Sequence, residues 1–163
     1  MPKVYGPRQT ILVTSRGEIN LMGKKKEIDD IITLDWHMPT SFEPFLYAIS
    51  IAKSRTSYQL IRQSKCFVVN FVPYDLKKEA LFCGRHSGMH VDKFKDTGLR
   101  KVDAKHIECP VIEQSCGHLE CHLEAEYETG DHVIFIGRVS NSEMRSEIKR
   151  LYHIGEDEFT TTR

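Results

Sequence analysis

The apolar positions of this chain fall mostly into short runs with the period of β-strands. Thr10 to Thr14 is β-branched and is followed by the turn residues Ser15-Arg16-Gly17 and a second run, Ile19 to Met22, which together predict a hairpin. Gly23 to Glu27 reads as a solvated polar loop, its three lysines answered by Glu27, Asp29 and Asp30. Ile31 to Leu34 starts a strand that runs to Trp36. After a turn at Glu43-Pro44, Phe45 to Ala52 is apolar with few breaks, which suits a strand covered on both faces. Cys66 to Val72 has the same character apart from Asn70, and Pro73 stops it. From Leu119 the pattern alternates strictly, with Leu119, Cys121, Leu123, Ala125 and Tyr127 on one face and Glu120, His122, Glu124, Glu126 and Glu128 on the other. Thr129-Gly130-Asp131 then turns the chain, and His132 to Val139 returns as a hairpin partner.

Helical signals are few. Thr56-Ser57-Tyr58-Gln59 has the form of a capping box and opens a helix ending near Lys65. Asp75 is placed to cap a second helix over Leu76 to Cys83, with Leu76, Ala80 and Cys83 on one stripe and Gly84 ending it in a left-handed conformation. Arg85 to Leu99 reads as loop or short helix, and Ser146 to Leu151 has a short helical look. Strands dominate, two or three short helices interrupt them, and no βαβ rhythm recurs, so the expected fold is mainly β, an antiparallel barrel.

Composition narrows the function. The chain has 163 residues, enough for one core, and residues 1–163 are expected to form a single domain. Lys+Arg and Asp+Glu are both 23, so the broad attraction of a basic protein to nucleic acid is missing. Five cysteines and a start, Met1 to Gly6, without an apolar signal segment point to reduced thiols in a cytoplasmic protein. No apolar run approaches the ~20 residues of a membrane span.

Several chemistries can be weighed on the residues alone. Lys53-Ser54-Arg55-Thr56-Ser57 delivers two cations and three hydroxyls to a helix start, where unpaired N–H groups and the helix dipole favour an anion such as a phosphate. The same residues also suit an ordinary helix cap with solvated cations, and capping alone favours that reading. Cys109, Cys116, His118, Cys121 and His122 crowd together, yet on a strand His118 and His122 lie ~13 Å apart and Cys121 faces away from them, so buried thiols and surface imidazoles are expected and no metal site. Cys83 near His86 is read as a buried structural thiol, and the His86/His90 spacing is interrupted by Gly88. No paired carboxylates, G-x-S-x-G elbow, P-loop or G-x-G-x-x-G is present.

The order of several motifs carries a more specific message. Trp36-His37-Met38-Pro39-Thr40-Ser41-Phe42, Ala48-Ile49-Ser50-Ile51, Lys53-Ser54-Arg55-Thr56, Val69-Asn70-Phe71, Ser87-Gly88 with Asp92-Lys93-Phe94, Leu119-Glu120-Cys121, and Gly130-Asp131-His132 with Phe135-Ile136-Gly137-Arg138-Val139 follow one another in an order that resembles the flavin reductase-like family of FMN-binding split barrels, in particular its flavoredoxin group. The resemblance runs from about Ile11 to Val139.

The resemblance implies a six-stranded Greek-key split barrel, a homodimer, and FMN held non-covalently near the subunit interface. It places Lys53, Ser54, Arg55 and Thr56 at the phosphate and ribityl end, and Trp36, Met38 and Thr40 along the isoalloxazine. Lys93 would reach the flavin's polar edge, Ser87 would approach the same site, and His132 would sit where a nicotinamide or other donor stacks. Phe159 would match a C-terminal aromatic that covers the ring. Asp30 stands where relatives often have asparagine, bringing a negative charge near the flavin edge or pointing to solvent. The implied activity is electron transfer from NAD(P)H or a redox protein through FMN to free flavin, a ferric chelate or another redox partner. The alternatives are an FMN-binding electron carrier that oxidises no nicotinamide and a metal- or thiol-based redox protein. Nucleic acid and membrane are not expected as partners.

Overall fold

A computed structural model describes residues 6–145 and 147–162; the first five residues, Ser146 and Arg163 fall outside it. The elements are β1 (Arg8–Gln9), β2 (Ile11–Leu21), β3 (Lys24–Leu34), β4 (His37–Ser41), β5 (Leu46–Ala52), α1 (Thr56–Ser64), β6 (Cys66–Phe71), α2 (Lys77–Arg85), α3 (Lys93–Thr97), β7 (Lys101–Asp103), β8 (Pro110–Ile112), β9 (Gly117–Thr129), β10 (His132–Met144), β11 (Tyr152–Gly155) and β12 (Glu158–Thr160). Seven strands form one antiparallel sheet in the order β3-β2-β6-β9-β10-β5-β4. β5 and β6 are consecutive along the sheet-forming chain yet flank the β9–β10 hairpin, so the connection through α1 crosses over that hairpin in Greek-key fashion. This is the architecture of a split barrel, with one more strand in the sheet than the six expected.

Apolar periodicity explains where the cores sit. Successive side chains of a strand point to opposite faces. On β2, Ile11 and Val13 enter a core with Ile49, Ile51, Phe67, Val69 and Phe135, while Leu12 between them enters a second core with Ile31, Val72, Ala80, Cys83 and Phe94. α1 covers the first core, with Tyr58 stacked on Phe135 at 5.9 Å. α2 and α3 cover the second. All six residues of β6 are buried, as its unbroken apolar run requires. Asn70, the exception in that run, is satisfied there: its Nδ2 donates to Leu12 O at 3.0 Å and to Thr14 Oγ1 at 3.1 Å, and its Oδ1 accepts from Ile112 N at 2.9 Å.

The structure departs from the sequence expectation at several places. Ser15-Arg16-Gly17 is not a turn but the middle of β2. Arg16 sits across from Asp29, where Nε donates to Oδ1 at 2.7 Å, and Gly17 leaves room for α1, since a Cβ there would come within 3.0 Å of Leu60 Cδ2. The hairpin turn lies at Met22-Gly23, and Lys24–Leu34 is a strand; its lysines project from a sheet edge, where charge discourages further pairing. Asp29 and Asp30 do not answer those lysines, because Asp29 pairs with Arg16 and Lys101 and Asp30 with Lys93. Asp75 lies in a short 3-10 turn, Tyr74–Leu76, and caps nothing; Gly84 lies inside α2, where a Cβ would press on Thr33 Cβ at 3.3 Å. The described part of the expected C-terminal helix is irregular, and β11 and β12 form a hairpin beyond it.

Glu120 is the largest surprise on β9. Alternation assigns it to the polar face, yet it is fully buried, because the loop between β7 and β8 covers that face. Its carboxylate accepts from Lys105 N at 2.9 Å, His106 N at 2.8 Å and Asn141 Nδ2 at 3.0 Å, and it lies 3.4 Å from His118 Nε2. His118 is likewise buried rather than a surface imidazole, whereas His122 is exposed. Burial alone would raise the carboxyl's pKa, but the backbone amides, Asn141 and His118 together hold it below the ordinary 4.5. A depressed folded value contributes stability that is fully present above 4.5 and is lost as pH falls through the folded value. Glu120→Gln, which offers one acceptor oxygen to two amides, is expected to cost about 1–3 kcal/mol at neutral pH and to flatten the acid limb of a urea-denaturation pH series. An unchanged acid limb would remove Glu120 from this role.

Candidate functional site

The site forms where β5 hands the chain to α1. At the end of β5 the Lys53 N–H donates to Asp131 O at 3.1 Å, which ties this corner to the β9–β10 turn. Arg55 is extended, with φ −84° and ψ 143°, and serves as the N-cap position of α1 without a side-chain capping bond. The expected capping box is therefore not made. Thr56 is the first helical residue, it is buried, and its Oγ1 lies 3.0 Å from Ser87 Oγ. Helix α1 thus presents first-turn amides that no side chain caps, together with Arg55, whose guanidinium makes no ion pair among the described residues.

These groups face a cavity of about 60 Å³ lined by Ser54, Arg55, Thr56, Ser57, Ser87 and Lys93, with Asp30 at its wall. Lys93 is buried on α3, with Nζ 3.0 Å from Asp30 Oδ1 and a short hydrogen bond to Ile31 O. Asp30 Oδ2 accepts from Ser57 Oγ at 2.7 Å. Asp30 therefore does not point to solvent; it is a buried carboxylate neutralised by a buried ammonium. Gly88 permits this, because a Cβ there would lie 2.6 Å from Asp30 Cγ. With Asp30 and Lys93 cancelling, Arg55 leaves the cavity one net positive charge.

Ile32 and Arg55 also line a neighbouring groove of about 390 Å³, bordered by Trp36, Ser50, Ala52 and His132. Trp36 and His132 face each other with ring centroids 5.0 Å apart, tilted by 40°. His132 is the first residue of β10 and pairs with Ala52, the last of β5. Its Nδ1–H donates to Asp131 Oδ1 at 2.7 Å, and that bond holds the Asp131 carboxyl below its ordinary range. Trp36 also borders a third cavity, of about 550 Å³, with Met38, His37 and Tyr47. Cavities of this size lie in the ~300–1,000 Å³ range of small-molecule sites. Uncapped helix amides and a guanidinium beside an aromatic-bordered groove suit an extended ligand with an acidic end and a planar end.

Ser54, Arg55, Thr56, Ser87 and Lys93 thus meet in one cavity, and Trp36 and His132 in the groove beside it. Met38 lies on the far side of Trp36. Lys53 is directed to Glu128, 3.3 Å away, and Thr40 is exposed on β4 outside the residues lining these cavities. Phe159 on β12 packs on the second core with its ring 5.2 Å from His153, which in turn bonds Asp35 at the groove. Ser57, one of the three hydroxyls read at the helix start, is buried and spends its hydroxyl on Asp30 Oδ2 at 2.7 Å. Cys83 is buried, and burial pushes its thiol up to about 12, which fits a structural role. Among the described residues no helix is long and apolar enough to cross a membrane.

Comparison with known proteins identifies the family and the fold. The flavin reductase like domain family matches residues 5–161. An uncharacterized protein of Archaeoglobus fulgidus is 34% identical over 113 residues, 69% of this chain and 64% of its own length. The reductase subunit of a flavin-dependent monooxygenase from Rhodococcus jostii is 31% identical over 117 residues, 71% of this chain and 57% of that protein. The match thus spans less than two thirds of these relatives. Among solved structures, an FMN-binding protein from Thermus thermophilus superposes with a TM-score of 0.86 at 23% identity, covering 99% of this chain and 89% of that one. The flavoredoxin of Desulfovibrio vulgaris superposes with a TM-score of 0.83 at 19% identity, covering 100% and 91%. With the family match spanning nearly the whole chain and the split-barrel fold shared, this protein belongs to the flavin reductase-like domain family.

Proposed function

We propose that the chain is an FMN-dependent oxidoreductase that takes electrons from NAD(P)H or a redox protein and passes them to free flavin, a ferric chelate or another small acceptor. One observation carries this reading: the uncapped start of α1 with Arg55, Ser54, Thr56 and Ser87 adjoins the Trp36–His132 groove, with Arg55 lining both. The donor set fits FMN. A phosphate dianion is served by helix amides, hydroxyls and a guanidinium, and the buried Asp30 does not repel it because Lys93 cancels its charge. The structural neighbours' descriptions, an FMN-binding protein and an NADH:FAD oxidoreductase from Streptomyces globisporus, support the same reading.

When bound, FMN supplies hydride acceptance and onward electron transfer, so no acid/base pair is required of the protein. The side chains bind, orient and exclude water. Arg55 and the α1 amides hold the acidic end, while Trp36 and the β5 backbone border the planar end. Asp131 fixes His132 with its proton on Nδ1, which presents the imidazole face and Nε2 to an arriving donor. A homodimer is part of the proposal, supported by exposed Met38 and Phe42 beside edge strand β4.

Anaerobic addition of NADH or NADPH to the FMN-loaded chain tests the activity. Bleaching of the flavin bands is the expected result, and an aromatic contact worth ~0.5–1.5 kcal/mol implies that His132→Ala slows it by up to about tenfold. Flavin that stays oxidised with both nicotinamides but bleaches with dithionite would replace the reductase reading by that of an electron carrier.

A further inference from the structure

All five cysteines are free and buried, but two of them are not isolated. Cys66 opens β6 and Cys109 immediately precedes β8, and their sulfurs lie 2.9 Å apart although 43 residues separate them. Both backbones are fixed. Cys66 is held in the ladder opposite His122 of β9. The loop that carries Cys109 is clamped by Glu120 through Lys105 N and His106 N, and at its end Thr14 Oγ1 bonds Pro110 O. A disulfide needs its sulfurs at ~2.05 Å, so only a sub-ångström to ångström approach separates the pair from a bond. Cys109 also borders a cavity of about 280 Å³ with Arg16, Asp103, Ile107 and Pro110, none of which lines the cavity at the start of α1. This cavity brings solvent space up to the Cys109 residue beside the buried pair. The hydrogen bond from Cys109 draws the Cys66 thiol down to about 7, and the same bond, with burial, raises Cys109.

We propose that Cys66 and Cys109 form a peroxide-sensitive dithiol, oxidised by hydrogen peroxide or a small alkyl hydroperoxide to an intramolecular disulfide. Cys66, the thiol that ionises more readily, gives up its proton and its sulfur attacks one peroxide oxygen; an S–O bond forms, the O–O bond breaks, and the leaving hydroxide or alkoxide takes up that proton. Cys109 then attacks the Cys66 sulfur, the S–S bond forms, the S–O bond breaks, and hydroxide leaves with the Cys109 proton as water. In sum two thiols lose two hydrogens and two electrons, and the peroxide is reduced to water, or to water and an alcohol. None of these steps involves flavin, so the proposal stands apart from the oxidoreductase reading.

The test treats the fully reduced 163-residue chain, freed of reductant, with stoichiometric hydrogen peroxide, alkylates it under unfolding conditions and maps it by mass spectrometry. Two of the five thiols should escape alkylation, with the Cys66 and Cys109 peptides joined and released by reductant, about tenfold faster than Cys121 is modified. In Cys109→Ser the sulfenic acid should accumulate on Cys66 and be trapped by dimedone. Wild-type chain that keeps five alkylated thiols while its circular dichroism stays native, or that links a different pair, would overturn the proposal. The wild-type result decides even if the serine variant fails to fold.

Discussion

Replacing Arg55 by alanine should weaken FMN binding roughly 10- to 100-fold and leave riboflavin binding nearly unchanged. A hydrogen bond to a charged group contributes ~1.5–3 kcal/mol, and every ~1.4 kcal/mol is a factor of ten in affinity. Arg55 is the residue to choose because Lys93 is committed to Asp30 and Lys53 lies against Glu128. The comparison with riboflavin isolates the phosphate, since the two ligands share the ring system that Trp36 and His132 would border. Lys53→Ala, removing a more distant cation, should have a smaller effect, and the double variant should be the weakest binder. Isothermal titration with both ligands measures this directly. Equal losses for FMN and riboflavin would mean that Arg55 shapes the groove instead of holding the phosphate.

Lys93→Ala should destabilise the ligand-free chain by about 3–5 kcal/mol, because it leaves the Asp30 carboxylate buried without its countercharge. Both side chains are almost wholly buried, at 3% and 2% exposure, so water cannot take the place of the missing partner. The urea midpoint should fall by more than about 1 M. Changing both groups together, Asp30→Asn with Lys93→Met, should recover much of the loss, since a neutral pair needs no countercharge and Ser57 can still bond the amide. If Lys93 served the ligand alone, the midpoint of the ligand-free protein would not move while FMN affinity fell. The pair also explains how an aspartate is accommodated inside the fold: the lysine that the resemblance directs to the flavin edge is used to neutralise it.

Much of this was legible in the sequence where local pattern and tertiary setting agree. The apolar runs of β5 and β6 have no competing interpretation, because both faces are covered, and the Gly130-Asp131 turn between β9 and β10 is set by glycine at φ 65°. The cations and hydroxyls of residues 53–57 suited both an anion and an ordinary helix cap; the cap is not made, because Thr56 bonds Ser87 and leaves the α1 amides uncapped. The misreadings share a physical cause. Ser15-Arg16-Gly17 carries turn residues, but Gly17 is there for the approach of α1 and Arg16 for a cross-strand partner thirteen positions away. Asp30 and Glu120 look like surface acids in a local window, and only distant groups, Lys93 for one and the amides of residues 105 and 106 for the other, make their burial tolerable. Nothing within a few residues of Cys66 announces Cys109.

The central claim is that the α1 seat and the Trp36–His132 groove together hold one FMN. Titration of the purified chain with FMN, followed by visible absorption and ultrafiltration, tests it most directly. The account predicts shifted, structured flavin bands and saturation at one FMN per chain. FMN that passes into the filtrate with the spectrum of the free cofactor would contradict it.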